Sequence, residues 1–205
     1  SYTYDHDWQL NSAAAFGGYG GAGGGTYGWD ANGNSTLSGR VTGAGNRLLS
    51  DGTYNYTYDE SGNMIKRVAI SGGAESDYDW DNRGRLVMVT DKNSSGTTLQ
   101  TVANSYDMFD NLIGRTWTPY TSGVAGTPYT SRFIYDGPST GSGQAGNAVL
   151  AFDGNESLTD RYLWGPAVDQ ILADERFIPS GSNQMPSSAG TTYWALTDNE
   201  NSVRD

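Results

Sequence analysis

Tyr54-Asn55-Tyr56-Thr57-Tyr58-Asp59-Glu60-Ser61-Gly62-Asn63-Met64-Ile65-Lys66-Arg67 is the stretch that decides the fold. Its three tyrosines alternate with polar residues, which places the rings on one face of a strand. Asp59 opens a turn and can bond the backbone ahead of it; Gly62, at the fourth position, accepts a positive φ. This predicts a type I turn closed by a glycine bulge. Met64 to Ile70 alternates again and returns beside the first strand. The unit is one β-hairpin: aromatic strand, Asp turn, Gly, then Asn or Arg, then an aliphatic strand.

The same frame recurs along the chain. Trp80-Asp81-Asn82-Arg83-Gly84-Arg85-Leu86 repeats it, and Tyr106-Asp107-Met108-Phe109-Asp110-Asn111-Leu112 repeats it with Asp110 where the frame has Gly. Trp29-Asp30-Ala31-Asn32-Gly33-Asn34 is a fainter copy. Tyr4-Asp5-His6-Asp7-Trp8 is fainter still, with Trp8 at the glycine position. Tyr135-Asp136-Gly137 and Phe152-Asp153-Gly154-Asn155-Glu156-Ser157-Leu158 follow, and Asn46-Arg47-Leu48-Leu49 reads as the returning half of another unit. The spacing of the aspartates is irregular, so loop lengths vary while the hairpin does not.

The residues that define the repeat are Tyr58, Asp59, Gly62, Trp80, Asp81, Gly84, Tyr106, Asp107, Tyr135 and Asp136. Their aromatic-Asp-x-x-Gly-(Asn/Arg)-Leu pattern resembles the YD repeat of Rhs proteins, a family that includes teneurins and shell components of insecticidal toxin complexes. A second, ordered series strengthens the resemblance: Phe133-Ile134-Tyr135-Asp136-Gly137, then Asn155 to Pro166, then Tyr193-Trp194-Ala195-Leu196-Thr197-Asp198 to Val203-Arg204-Asp205. This is similar to the approach to the Rhs-associated core. On that likeness, residues 1–132 are YD-repeat hairpins with a glycine-rich stretch at 17–25, and residues 133–205 are the core-proximal units. The likeness is thinnest over Asn11 to Gly25. Asp110 and Asn201 depart from it by replacing glycines, and Pro138 to Gly146 reads as an insertion. The family's aspartate-dependent self-cleavage motif and its toxin domain would follow Asp205, so neither is carried over.

The resemblance implies a continuous, twisted or spiralling antiparallel sheet. It implies a structural role in a secreted or surface protein of bacterial type: the wall of a hollow shell around a C-terminal cargo or toxin, or an extracellular filament. The expected partners are further YD repeats of the same chain or copies of itself. The other reading is an adhesion module whose surface aromatics take glycans or a receptor, because sugar rings offer flat apolar faces; the simpler account of a ring is that it belongs to the core of the stacked sheet.

Composition agrees with an all-β class. Gly 29 is about twice the ordinary share of a chain of 205 residues, as frequent turns require. The absence of cysteine excludes a disulfide framework and a thiolate metal site. A net charge of −11 repels phosphate backbones and anionic membranes, so no nucleic acid is expected as a partner. No apolar run reaches the roughly 20 residues of a membrane helix. The start at Ser1 and the stop inside a motif suggest a slice of a longer repeat array. Val168 to Glu175 reads as a strand. Trp117 to Tyr129, with Pro119 and Pro128, reads as an edge or a loop. Ile178 to Gly190 reads as an exposed loop, and Gly17 to Gly25 as either a linker or a tightly packed strand pair.

No catalytic site is expected. His6 is the single histidine and no Gly-x-Ser-x-Gly elbow is present. The repeated aspartates recur in every turn, where a structural role suffices, whereas a glycosidase pair occurs once in a cleft. Asp30, Asn32, Asp153 and Asn155 are the oxygen-rich positions at which a calcium ion would sit, although neither loop has the EF-hand spacing and a solvated turn is the simpler account. No cofactor is expected, since the glycines lack the Lys-Ser or Lys-Thr of a nucleotide loop.

Overall fold

A computed structural model describes residues 2–13, 25–137, 146–165, 170–177, 190–197 and 203–204. Most of the glycine-rich stretch, the insertion after Gly137, most of the Ile178 to Gly190 segment, and Asn201 lie outside the described residues. The fold is all-β. In order the strands are β1 (Tyr2–Tyr4), β2 (Leu10–Ala13), β3 (Gly25–Thr26), β4 (Arg40–Thr42), β5 (Leu48–Asp51), β6 (Tyr54–Tyr58), β7 (Met64–Ala69), β8 (Glu75–Trp80), β9 (Leu86–Lys92) and β10 (Thr98–Tyr106). They continue as β11 (Leu112–Thr121), β12 (Val124–Ala125), β13 (Tyr129–Tyr135), β14 (Ala148–Asp153), β15 (Leu158–Trp164), β16 (Ile171–Arg176), β17 (Thr191–Trp194), β18 (Leu196–Thr197) and β19 (Val203–Arg204). Among the described residues one 3₁₀ turn, Ala44–Asn46, interrupts them.

Strands β4 to β17 form one antiparallel sheet of 14 strands, laid down as a meander in chain order, with β12 pairing β11 alone. β1, β2 and β3 make a separate three-stranded sheet, and β18 pairs β19. Contacts divide the chain into two compact units, residues 1–78 with 92–96, and residues 79–91 with 97–205.

The predicted hairpin is present with its bulge. In β6–β7, Tyr54 faces Ala69 and Tyr56 faces Arg67, and the register slips between Thr57 and Tyr58. The slip falls at the same place, on the ring before the turn, at Tyr4, Tyr106, Tyr135 and Trp164. An extra residue there bends the strand into the turn and leaves one carbonyl out of the ladder.

Two expectations are corrected. The segment from Trp117 to Tyr129 is an edge or loop only in its second half, where β12 pairs β11 alone and residues 126–128 with Pro128 are loop; its first half is not, since β11 runs through Pro119 to Thr121 between β10 and β13. Pro119 pairs with Gln100 of β10. Its carbonyl points to the other side and accepts from the Gly126 N–H at 2.7 Å. On that side the β13 ladder has already ended at Trp117–Tyr129, so the missing proline N–H interrupts no ladder bond. The second correction concerns the core. The rings do not form it. Among the described residues the buried apolar side chains are Ala151, Leu158 and Ala173, and the frame rings are half-buried. The main contacts between elements are those of hydrogen-bonded neighbours in a sheet, so a ring is covered by the adjacent strand on one side only.

The face opposite the rings in the first unit carries an ion network. Lys66 Nζ lies 3.0 Å from Glu75 and 3.1 Å from Asp77; Lys92 Nζ lies 3.2 Å from Glu75 and contacts Asp77. Glu75 and Asp77 hold both lysines above their ordinary range. Lys66 and Lys92 hold Glu75 below its own. Burial pushes Asp77 up, but its bonds to Lys92 and Lys66 outweigh that and leave it lowered. Alternating charge at cross-strand positions fixes the β7–β8–β9 register without an apolar face.

The repeated turn as candidate functional site

Every frame aspartate does the same work. Its backbone N–H bonds the fifth turn residue's carbonyl, as in Asp59 N–H to Asn63 O at 2.9 Å and Asp81 N–H to Arg85 O at 3.0 Å. Its Oδ1 accepts from the backbone ahead. Asp81 takes the N–H groups of Arg83 and Arg85 at 2.9 and 3.0 Å, Asp107 those of Phe109 and Asn111 at 2.8 and 2.9 Å, and Asp5 those of Asp7 and Gln9 at 2.9 Å each. Where the fifth residue is Asn63 or Asn111, its amide reaches the same aspartate's Oδ2, at 2.9 and 2.8 Å. Arg85 does so at 2.7 Å. The long turn is closed identically: the Asn147 N–H reaches Asp136 Oδ1 at 2.7 Å. A Cβ at Gly146 would come within 2.6 Å of that oxygen, so the loop must return through glycine.

The calcium positions fall in this scheme. Asp30 Oδ1 accepts from the Asn32 and Asn34 N–H groups at 2.9 Å each, and Asp153 Oδ1 from those of Asn155 and Ser157 at 2.9 Å each. Among the described residues no three His, Cys, Asp or Glu side chains converge as a metal site. His6 is exposed beside Asp7 at the β1–β2 turn. Asp153 lies at the opposite end of its hairpin from Asp136, since β14 separates them.

Hydrogen bonding also lowers these carboxyls. The Asn63 amide does so for Asp59, the Asn111 amide for Asp107, the Asn34 amide for Asp30, and the Arg85 N–H for Asp81. A carboxyl lowered in the folded state contributes stability above its unfolded value, about 3.9 for Asp. That contribution is lost as pH falls through the folded value. Thermal stability is therefore expected to hold from neutral pH down to about 5 as far as these groups are concerned, and to fall below about 4. A melting series between these limits checks it; an unchanged midpoint at acid pH would contradict the role given to the turns.

The fourth position of the short turns is left-handed. Gly33, Gly62 and Gly84 have φ of 80, 92 and 73°. Asp110 and Glu156, at 70 and 65°, share the conformation without being glycine, and both carry ion pairs. Asp110 lies 2.8 Å from Arg83 and 2.9 Å from Arg85, and Glu156 lies 3.1 Å from Arg132. Asn46, at 56°, accepts from the Asn34 amide at 3.1 Å. Asp110 and Asn46 thus reach the neighbouring turn and Glu156 reaches β13, contacts that offset a backbone these residues tolerate less well than glycine; Trp8, at 63°, is exposed and has no such contact among the described residues. A Cβ added at Gly62 would meet nothing within 4 Å, so only φ opposes a side chain there. Gly62→Ala is expected to cost about 1–2 kcal/mol and Gly62→Asn less, measured by urea denaturation.

The rings carry the contact between units. Each donates its polar tip to the backbone carbonyl of the sixth turn residue one unit earlier. Trp29 Nε1 bonds Leu10 O at 3.0 Å, Tyr58 Oη bonds Leu48 O at 2.7 Å, Tyr106 Oη bonds Leu86 O at 2.9 Å, Tyr135 Oη bonds Leu112 O at 2.9 Å, and Trp164 Nε1 bonds Ala148 O at 2.7 Å. Trp80 is also partnered. Arginines at the fifth position add a second link. Arg47 bonds Asp59 O at 3.2 Å and lies over Tyr58; Arg85 bonds Asp107 O at 3.0 Å and lies over Tyr106. A charged plane over a ring adds electrostatic attraction to the contact.

Beyond the frame, three features have no signal in the sequence. Asp51 accepts the Thr53 and Tyr54 N–H groups and the Tyr56 hydroxyl, a cap that only the β5–β6 geometry shows. The Lys66–Glu75–Asp77–Lys92 network is the second. The third is an open groove of about 310 Å³ on the aromatic face of the second unit, lined by Phe133, Tyr135, Ala148, Tyr162, Trp164 and Ile171 among others. Burial pushes the Tyr135 and Tyr162 hydroxyls up, with Asp160 and Asp174 adding to the effect at Tyr162.

No protein-family model and no curated protein matches the chain. In the described residues no helix is long and apolar enough to cross a membrane.

Proposed function

We propose that this chain is a structural wall: a run of stapled β-hairpins in a secreted or surface protein, extended by further units of its own chain or by copies of itself. The observation that carries this reading is the ring-to-carbonyl bond. It joins successive units at five places by one rule, and a rule that refers only to the previous unit can be iterated without limit. The turn carboxylates are engaged in closing their own turns, which suits scaffolding better than chemistry. The end strands β4 and β17 keep one side each without a ladder partner among the described residues, and such edges recruit strands.

The likeness to Rhs YD repeats, and the core-like series from Phe133 onward, favour a closed shell enclosing a cargo over a filament. Electron microscopy of the native material tests the proposal. Hollow particles of constant size support the shell, and fibres with a regular axial repeat support the filament. A dispersed monomer that binds one glycan with sub-micromolar affinity would replace both with the adhesion reading, for which the aromatic groove supplies the motive.

A further inference from the structure

We infer that Asn32 is a modification site. Its side chain closes with the Gly33 nitrogen to a succinimide that water opens to aspartate or isoaspartate, and the isoaspartate form unlatches this turn from the next. The inference goes beyond the wall reading and does not depend on it.

The frame creates the site. Its fourth turn position is left-handed and favours glycine, while its third accepts any side chain. Asparagine third and glycine fourth then put a side-chain amide beside a nitrogen that no Cβ shields. Asn32-Gly33 is the sole Asn-Gly of the chain. Asn155 also stands third in its turn, but Glu156 follows it, and Asn82 precedes Arg83.

Bonding separates the asparagines further. The Asn34 amide donates to both oxygens of Asp30, at 3.2 and 3.0 Å. Those of Asn63 and Asn111 donate to Asp59 and Asp107, at 2.9 and 2.8 Å. Asn32 has no such tie. It is exposed, its backbone N–H bonds Asp30 Oδ1 at 2.9 Å, and its side-chain amide has no partner among the described residues.

The Gly33 nitrogen attacks Cγ of Asn32, gives its proton to solvent, and the side-chain amide nitrogen leaves as ammonia. Water then adds to one of the two ring carbonyls. Breaking the bond between Cγ and the Gly33 nitrogen gives aspartate; breaking the original peptide bond gives isoaspartate. Ammonia out and water in is the whole balance. In the closed turn the Gly33 N–H donates to Asp30 O at 3.0 Å, so the nitrogen is freed only when the exposed tip opens locally, which needs no unfolding of the unit.

Isoaspartate lengthens the backbone before Gly33 by one carbon. The turn is set by the Gly33 bond to Asp30 O, by the Asn34 N–H to Asp30 Oδ1 at 2.9 Å and by the Asp30 N–H to Asn34 O at 2.9 Å. A longer loop cannot keep all three. The Asn34 amide also donates to Asn46 Oδ1 at 3.1 Å, so its displacement releases the neighbouring turn. Aspartate leaves the backbone length and the turn as they were.

Peptide mapping of the 205-residue chain, aged in mildly alkaline buffer with and without urea, tests this; fragmentation that distinguishes isoaspartate identifies the product. Folding should slow Asn63 and Asn111 about tenfold more than it slows Asn32, since each must first break an amide–carboxylate bond. Chain enriched in isoaspartate at residue 32 should melt below fresh chain. Asn32→Asp should melt with fresh chain, and Asn32→Ser should age without that loss. Asn32 intact in the native chain while it converts in urea would overturn the site, as would another asparagine of the described residues converting ahead of it. An isoaspartate form that melts with fresh chain would overturn the unlatching.

Discussion

Leu158→Ala is expected to lower the unfolding free energy by about 2–5 kcal/mol. Leu158 is 2% exposed, the largest fully buried side chain among the described residues, and its neighbours Ala151 and Ser157 are 3% and 2% exposed. It begins β15 opposite Phe152, where the register slips, and its side chain is buried at that bulge. Small neighbours cannot grow into the space it would vacate, and the cavity term adds to the lost transfer energy. Against a typical stability of about 5–15 kcal/mol the loss is large. Leu158→Met, which conserves volume, should cost less than about 1.5 kcal/mol. Urea denaturation of both variants checks the pair. A loss under about 1 kcal/mol for Leu158→Ala would mean that the second unit is not organised around this residue.

The second large effect is expected at Tyr135. Tyr135→Ala should cost about 2–3 kcal/mol, since it removes a half-buried ring and its bond to the Leu112 carbonyl. The informative comparison is with phenylalanine. Tyr135→Phe leaves Leu112 O without a side-chain donor and should cost about 1–2 kcal/mol. Tyr106→Phe should cost only about 0.5 kcal/mol, because the Asn104 amide also donates to Leu86 O, at 3.0 Å. If the rings acted through packing alone, the two phenylalanine variants would be equally mild. A measured difference in the expected direction assigns the work to the hydroxyl.

Much of the fold is legible because its determinants are local. Period-2 alternation, an Asp that bonds its own turn and a residue with positive φ at the fourth position are all readable within about a dozen residues, and Tyr54 to Arg67 folds as they direct. Local reading also places Asp110 and Trp8 at a glycine position, and both have positive φ, 70 and 63°. It fails where the answer depends on a neighbour. Proline counts against an interior strand, but Pro119 faces a side where the ladder has stopped, and only the lengths of β11 and β13 reveal that. Rings suggest a core, yet they bond backwards to a carbonyl left out by a bulge and stay half-buried. One trace of this is present in the sequence. The frame rings that reach back are tyrosine or tryptophan, and the phenylalanine of the series, Phe152, precedes the turn at the opposite end of its hairpin.

The staple has a direction. Tyr58 grips residue 48, Tyr106 grips residue 86 and Trp164 grips residue 148; in each bond the acceptor precedes the donor in the chain. A hairpin leaving the ribosome therefore meets an acceptor that has already been synthesised and need not wait for any later unit. Vectorial growth of this kind keeps the loop to be closed short, on the order of ten to thirty residues, and its entropic cost nearly constant from one unit to the next. The length of such a protein can then change by whole hairpins, added or lost, without a redesign of the units that were made before them.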